Sequence, residues 1–199
     1  MNGRPAPSTL REMTRAAVRA RISDAALDLF VEHGFDDVTV EQIASTVGIS
    51  TRSFNRYFPT KEDAVLGDTE AWGILVRDTF AARPGDESVW HSLQQAYAAL
   101  LALSDTSGER RKRGMRVLSS APSLRARNLE KHLLWAQMLT PLVAERLDGN
   151  DTRLRAYAIV QASIACFEAA LNTWAEPDEN RTPTELLAIA FDSFPGWRD

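Results

Sequence analysis

Apolar residues recur along most of the chain with the spacing of α-helices, and no segment alternates apolar and polar residues as a half-buried strand would. One helical face is formed by Ile22, Ala26, Leu29 and Phe30. The helix that carries them is expected to run from about Leu10 or Thr14 to His33, because Gly34 follows as glycine commonly does just past a helix C-terminus. Similar segments continue to the end of the chain, so the pattern predicts an all-α protein.

Two short helices separated by a glycine are predicted next. Thr39 is a natural N-cap, and Gln42, three residues later, completes a capping box for the first of them. Gly48 ends that helix, and Ser50 can cap the second. A helix, a tight turn and a second short helix form a helix-turn-helix, a motif that places its second helix in the major groove of DNA.

The second short helix carries side chains that are suited to DNA. No acidic residue occurs between positions 50 and 60, and Pro59 ends the helix near Tyr57 because it disfavours α geometry in the residue before it. Arginine can bind guanine with two hydrogen bonds, asparagine can bind adenine in the same way, and hydroxyls suit phosphates. Phe54 is the apolar residue that faces the core. The side chains expected to face outward are Thr51, Arg52, Ser53, Asn55, Arg56 and Tyr57.

Lys61 and an arginine-rich segment near the N-terminus extend this basic character. Lys61 begins the next predicted helix, where its ammonium and the helix N–H groups can bind a phosphate. Upstream, Glu12 is the one acidic residue beside four arginines, which are Arg11, Arg15, Arg19 and Arg21. We therefore predict that residues 10–58 bind double-stranded DNA, and the alternative is a helix hairpin with solvated arginines.

The segment TVEQIASTVGISTRSFNRYFPTKEDAV, from Thr39 to Val65, resembles the DNA-binding signature of the TetR family of one-component bacterial regulators. The shared features are a threonine that opens the second helix, a glycine–apolar–serine turn, an aromatic-rich recognition helix, and the pairs YF and KE. Asn55 stands where the family commonly has tyrosine, and the segment is similar to the branch of mycofactocin-type regulators with an acyl-CoA-like ligand-binding domain. The resemblance implies DNA contacts at the outward residues named above, at Lys61 and, on the DNA backbone, at Thr39.

Three regions are expected: a disordered N-terminal arm over residues 1–9, the helix-turn-helix domain over 10–58, and a helical effector-binding and dimerisation domain over 59–199. The third region is predicted to begin with one helix from Lys61 to about Ala82. Further helices are expected at about 88–103, 109–120, 123–147 and 152–175. Thr182 and Glu185 form a second capping box that opens the last helix.

The last two predicted helices suggest a homodimer. The helix over residues 152–175 is apolar nearly all round, so it must be covered on more than one side. The family resemblance implies a four-helix bundle with a second copy, which would place two recognition helices on adjacent half-sites of a palindromic operator. The alternative is that these faces pack only within one chain. We expect charged residues at Phe167, Leu171 or Leu187 to harm assembly, folding or both.

Large apolar side chains, with a few polar ones on the same helices, predict a small-molecule site in the third region. The candidate ligand-binding residues are Trp72, Leu75, Leu93, Tyr97, Leu118, Trp135, Met138, Phe167, Glu168 and Leu171. The basic run Arg110, Arg111, Lys112, Arg113 and Arg116 is either solvated or binds the phosphates of a ligand such as an acyl-CoA. The predicted function is therefore a repressor that a small apolar effector releases from its operator. A DNA-binding regulator controlled by a partner protein, with no small ligand, is the alternative.

The composition and motifs of the sequence narrow the classes of protein that remain possible. The chain has 199 residues, is 44% hydrophobic and carries a net charge of −4, so any basic surface must be local. Its single cysteine permits no intrachain disulfide and suits a reducing cytoplasm. No histidine has metal-ligand spacing, and no glycine-rich phosphate loop or nucleophile elbow occurs, so neither an enzyme nor a cofactor is expected. The start lacks the apolar segment of a secretory signal, and no run is expected to span a membrane.

Overall fold

The structure is a computed structural model that describes residues 9–67, 69–102 and 108–194, without the side chains of Glu12, Arg110 and Arg111. The arm predicted over residues 1–9 lies, except for Thr9, outside the described residues. Within those residues the chain forms helices and no strand, which confirms the all-α class. The ten helices of the described ranges, α1 to α10 in chain order, are Leu10–His33, Val40–Val47, Thr51–Tyr57, Lys61–Leu66, Thr69–Ala81, Val89–Ala102, Gly108–Ser120, Pro122–Ala144, Thr152–Trp174 and Pro183–Asp192.

The chain divides into two compact units between residues 67 and 68. The sequence placed this boundary after residue 58, but α4 packs against α1 and belongs to the first unit. The helix predicted from Lys61 to about Ala82 is therefore two helices. Gly67 ends α4 with a φ of 73° and a ψ of −148°, a conformation that glycine adopts far more readily than other residues.

Local caps define the helices of the first unit. The capping box predicted for α2 is confirmed, since Thr39 N donates to Gln42 Oε1 at 2.7 Å and Gln42 N donates to Thr39 Oγ1 at 3.3 Å. Gly48 ends α2 in the left-handed region, with a φ of 75°. The buried side chains of this unit come from all four helices and from the segments that connect them, and they include Ile22, Ala26, Phe30, Phe35, Val38, Ile43, Phe54, Phe58 and Leu66.

Helix α9 is central to the second unit, where it packs against α6, α7, α8 and α10. By length and composition α9 could cross a membrane, which was not expected from the sequence. Its buried residues, however, lie in the apolar core of this unit, as in the core helix of a globular protein. The capping box that Thr182 and Glu185 were predicted to form at α10 is confirmed.

Helices α5 and α8 approach each other closely at Gly73. A Cβ atom at this position would lie 2.7 Å from Trp135 Cδ1, which is closer than packed atoms allow. Trp135 Nε1 also donates a hydrogen bond to Thr69 O at 3.0 Å. The first turn of α5 is thereby fixed to a side chain of the core.

Candidate DNA-binding surface and effector core

One cap and two aromatic side chains hold α3 in place. Ser50 Oγ accepts a hydrogen bond from Ser53 N at 3.1 Å, as the sequence predicted for the N-cap. Phe54 is fully buried, and its ring centroid lies 5.9 Å from that of Phe58. Because Phe54 occupies the inner face of this short helix, the neighbouring side chains are turned toward solvent.

The outer face of α3 is polar and carries no acidic group. Its exposed residues are Arg52, Asn55 and Arg56, and its partly exposed residues are Thr51, Ser53 and Tyr57. The Ser53 hydroxyl lies 3.0 Å from Ser50 Oγ and is oriented by the cap. The Arg56 guanidinium lies 5.3 Å from the Tyr57 ring centroid. The face therefore presents the side-chain types that form bidentate hydrogen bonds with base edges.

Arg19 supports the C-terminal end of α3. Its Nη1 donates to Tyr57 O at 2.5 Å, and its guanidinium lies 4.3 Å from the Phe58 ring centroid. The sequence had grouped Arg19 with the basic segment near the N-terminus. In the structure its charge faces the negative end of the α3 dipole, so it positions this helix.

A cleft of about 340 Å³ lies between the start of α1 and the end of α3. It is lined by Leu10, Arg11, Thr14, Arg15, Arg56 and Tyr57. Three of these six residues are arginines and none is acidic. The cleft extends the basic surface of α3 to α1, where it can bind the phosphates of one DNA strand.

Lys61 is partly exposed, and its ammonium contacts backbone carbonyls of the protein. Its Nζ donates to Phe35 O at 2.7 Å and to Val38 O at 2.9 Å, and it lies 4.3 Å from the Phe35 ring centroid. These contacts give Lys61 a structural role at the turn between α1 and α2, and its contact with a DNA phosphate stays a prediction. Thr39 is exposed, with its hydroxyl engaged in the cap of α2, and its contact with the DNA backbone stays a prediction.

Aromatic side chains fill the middle of the second unit. The ring centroids of Tyr97 and Phe167 lie 4.9 Å apart, and that of Trp135 lies 5.9 Å from Phe167. All three residues are buried. Tyr97 Oη lies 3.2 Å from Ser163 Oγ, and burial raises the pKa of the Tyr97 phenol, which stays neutral. This core is therefore apolar, and the hydroxyls of Tyr97 and Ser163 are paired within it.

Two family models match the chain. The model of bacterial regulatory proteins of the tetR family matches residues 22–66, and the model of the MftR C-terminal domain matches residues 87–195. The second match alone covers more than half of the 199 residues. The chain belongs to the TetR family. Its resemblance to the mycofactocin-type branch, which the sequence motif indicated, is confirmed.

Relatives of this TetR-family protein are regulators. A protein named as a mycofactocin biosynthesis transcriptional regulator, from Mycobacterium tuberculosis, is 28% identical over 178 residues that cover 89% of each chain. The solved structure of Thermus thermophilus FadR in complex with lauroyl-CoA is 23% identical, with a TM-score of 0.53, and the match covers 87% of this chain and 91% of that one. A SmeT–triclosan complex is 18% identical, with a TM-score of 0.58, and the match covers 89% and 91%. The two structures show the shared fold, and the family is one of transcriptional regulators and not of enzymes.

The apolar core of the second unit contains most of the predicted ligand-binding residues. Those in one buried cluster are Leu93, Tyr97, Trp135, Phe167 and Leu171, and those packed against it are Leu75 and Met138. Trp72 was expected to face this core but is 38% exposed. Leu118 is partly buried outside the cluster, and the side chain of Glu168 is 44% exposed. The three exceptions lie toward the surface because their helices turn other residues inward.

Two residues of the basic run bind the end of α9. Lys112 Nζ donates to Glu179 O at 2.5 Å, and Arg116 Nη1 donates to Ala175 O at 3.0 Å. Ala175 is the C-cap of α9, so Arg116 offsets the negative end of this helix, whereas Lys112 binds the segment that follows it. A contact of the basic run with ligand phosphates stays a prediction.

A buried polar cluster between α8 and α9 was not predicted from the sequence. Lys131 and His132 are buried on α8. Asn128 Nδ2 donates to Glu168 Oε1 at 3.3 Å, and Glu168 Oε2 lies 3.9 Å from His132 Nδ1. Burial lowers the pKa of Lys131 to about 8, against the opposing effect of Glu168. Burial, together with the neighbouring Lys131, lowers the pKa of His132 to about 3, so this histidine is neutral.

Proposed function

We propose that this regulator is a repressor that binds a palindromic operator and dissociates when a small apolar effector enters the core of the second unit. The outer face of α3 carries the proposal, since Arg52, Asn55 and Arg56 are exposed above the buried Phe54. Family membership establishes a DNA-binding transcriptional regulator, for which the cytoplasm is the usual location. The sign of regulation and the release by ligand are our inference.

The operator contacts follow from exposure and chemistry. Base contacts are assigned to Arg52, Asn55 and Arg56, because their side chains are exposed on α3. Contacts with phosphates and sugars are assigned to Thr39, Thr51, Ser53 and Tyr57, with Arg11 and Arg15 added from the cleft beside α3.

Dimerisation is typical of the family, and we place the interface on exposed apolar residues of the last two helices. Leu154 is 69% exposed and Tyr157 is 48% exposed on α9, and Ile189 is 51% exposed on α10. The sequence predicted that charged residues at Phe167, Leu171 or Leu187 would harm assembly, folding or both. Each of the three is at most 7% exposed within one chain, so we expect the effect to fall on folding. A second copy can cover the exposed set and bring two α3 helices to adjacent half-sites.

The effector is proposed to act through Trp135 and α5. Trp135 belongs to the aromatic core and donates its indole N–H to Thr69 O, in the first turn of α5. α5 begins shortly after Gly67, the last residue of the first unit. A ligand that displaces Trp135 would therefore move the start of α5 and with it the chain leading to the DNA-binding unit. An acyl-CoA is one candidate, supported by the lauroyl-CoA in Thermus thermophilus FadR, and the triclosan bound to SmeT supports other apolar molecules.

Operator selection followed by ligand titration tests this function. Duplexes selected from a random library by the purified protein should share a palindrome. Apolar compounds should then weaken operator affinity about 5- to 150-fold, the effect of a coupling free energy of about 1–3 kcal/mol. Acyl-CoAs of several chain lengths form one arm and a broad set of apolar compounds the other. If the operator binds but no compound changes its affinity, the packed aromatic core is a structural core and a regulator controlled by a partner protein is the better account.

A further inference from the structure

Three arginines follow one edge of α1 at intervals of four residues. Arg11, Arg15 and Arg19 therefore share a face of this helix, and the first two line the cleft beside α3. Like charges at this spacing repel each other, so the three arginines do not stabilise α1 itself. They differ in exposure, since Arg11 and Arg15 are exposed and Arg19 is partly buried. The same residue type therefore meets solvent at two positions and the protein at the third.

The C-terminal end of α3 depends on a contact from outside the helix. α3 has seven residues, which is too short for a helix to be stable by itself. A serine cap holds its start, and the buried Phe54 holds its middle. Pro59 follows its end and keeps Phe58 extended, with a φ of −139° and a ψ of 119°. The Tyr57 carbonyl at this end accepts the hydrogen bond from Arg19 Nη1 at 2.5 Å.

Arg19 restricts both the distance and the orientation of this end. While it binds the Tyr57 carbonyl, its guanidinium lies over the Phe58 ring, 4.3 Å from the centroid. Phe58 is 1% exposed, so the ring is itself fixed in the core of the first unit. A planar guanidinium can donate through its edge and stack through its face, whereas a lysine ammonium acts as a point charge. Arg19 therefore determines how the end of α3 lies against α1.

A small movement at this end would change the position of every outward side chain of α3. The helix is about 10 Å long, so a shift of about 1 Å at Tyr57 tilts it by about 6° around its capped start. Asn55 and Arg56 directly precede Tyr57 and would move most. Hydrogen bonds to base edges weaken steeply with distance and angle, whereas attraction to phosphates depends mainly on charge. Contacts that read sequence would therefore suffer first.

We propose that Arg19 is a positioning residue for operator recognition, which holds α3 at the angle where its side chains reach base edges and does not itself contact DNA. Arg11 and Arg15, on the same face of α1, bind phosphates beside it. α1 thereby joins the DNA backbone to the recognition helix. This inference rests on the proposed function, because it concerns how α3 reads the operator.

A comparison of specific with non-specific binding separates positioning from charge. Fluorescence anisotropy of the full-length protein measures dissociation constants for the selected operator and for a random-sequence duplex of the same length. Arg19→Met should weaken operator binding about 10- to 100-fold, the effect of losing about one bidentate base contact. Its binding to the random duplex should change less than about threefold, with the salt dependence of the wild type.

Three further variants serve as controls. Arg15→Met should weaken binding to both duplexes in proportion and lower the salt slope by about one counterion. Arg21 is exposed and lies about 200° around α1 from Arg19, so Arg21→Met should keep the wild-type preference for the operator. Arg19→Lys, which keeps the charge but loses the planar group, should recover part of that preference. Circular dichroism sets a temperature at which each variant is folded.

A wild-type preference for the operator in folded Arg19→Met would overturn the proposal and leave Arg19 with a purely stabilising role. A parallel loss on both duplexes, with a lower salt slope, would overturn it as well, because it would show a phosphate contact. If Arg19→Met does not fold, Arg19→Lys decides, since a full wild-type preference in that variant would contradict the role of the planar group. The proposed function would fail separately, if the wild type itself preferred no palindrome.

Discussion

Replacing Lys61 with methionine separates a structural role from a DNA contact. Methionine keeps an unbranched stem but removes the ammonium that donates to Phe35 O at 2.7 Å and to Val38 O at 2.9 Å. A hydrogen bond from a charged donor contributes about 1.5–3 kcal/mol, and a cation–π contact contributes about 0.5–1 kcal/mol. Lys61 is partly exposed, so water replaces part of these contacts and we expect a net loss of about 2–3 kcal/mol.

Thermal unfolding followed by circular dichroism measures this loss. For a unit of this size, each kcal/mol shifts the Tm by roughly 4–8 °C, so the transition of the DNA-binding unit should fall by roughly 10–20 °C. Arg52→Met is the matched control, because Arg52 is exposed on α3. Its effect on stability should stay within about 0.5 kcal/mol.

Operator binding at low temperature, where Lys61→Met is still folded, completes the comparison. We expect the salt dependence of binding to equal that of the wild type, because the ammonium faces carbonyls of the protein. A phosphate contact would instead lower the slope by about one counterion. An unchanged Tm together with that lower slope would refute the structural role of Lys61.

Two further predictions concern the second unit. Glu87 accepts hydrogen bonds from Arg83 Nε at 2.7 Å and from Ser92 Oγ at 2.6 Å, and chiefly the Arg83 contact lowers the pKa of Glu87 to about 2. Since this lies below the unfolded value of about 4.3, the carboxylate stabilises the fold above that pH and loses its effect as pH falls toward the folded pKa. In urea unfolding, Glu87→Gln should therefore be less stable than the wild type by about 1 kcal/mol at pH 7, and this difference in unfolding free energy should shrink below pH ~4. A difference that does not change with pH would contradict this. For the dimer, sedimentation should find that Ile189→Asp is monomeric and keeps its helicity. Phe167→Asp should lose helicity instead, because Phe167 is 2% exposed. A dimeric Ile189→Asp would place the interface elsewhere.

Helix boundaries could be predicted where the residues that set them are close together in the sequence. The boxes of Thr39 with Gln42 and of Thr182 with Glu185 each join residues three positions apart, so the sequence contains the whole interaction. The outward face of α3 was predictable for a similar reason, since Phe54 alone in that helix demands burial. The division at Gly67 was missed because apolar residues continue on both sides of this glycine.

The surroundings of two lysines depend on tertiary contacts, which the hydrophobic periodicity of the sequence does not show. The acceptors of Lys61 lie 23 to 26 residues earlier in the chain, in the turn before α2. Lys131 is buried although Leu133 and Leu134 on the same helix are exposed, so a hydrophobic pattern predicts the opposite face. The sequence likewise predicted that Trp72 faces the core. In the structure Trp72 is 38% exposed, and the neighbouring Gly73 makes the close contact with α8.

The double variant Arg52→Ala/Arg56→Ala tests the central claim, that the outer face of α3 binds the operator. Fluorescence anisotropy at fixed salt compares its affinity for the selected operator with that of the wild type and of Arg153→Ala, a control on the exposed surface of α9. Each bidentate contact with a base contributes about 1–3 kcal/mol, so we predict a loss of about 2–6 kcal/mol for the double variant and none for the control. Wild-type affinity in a folded double variant would contradict the assignment of α3 as the recognition helix.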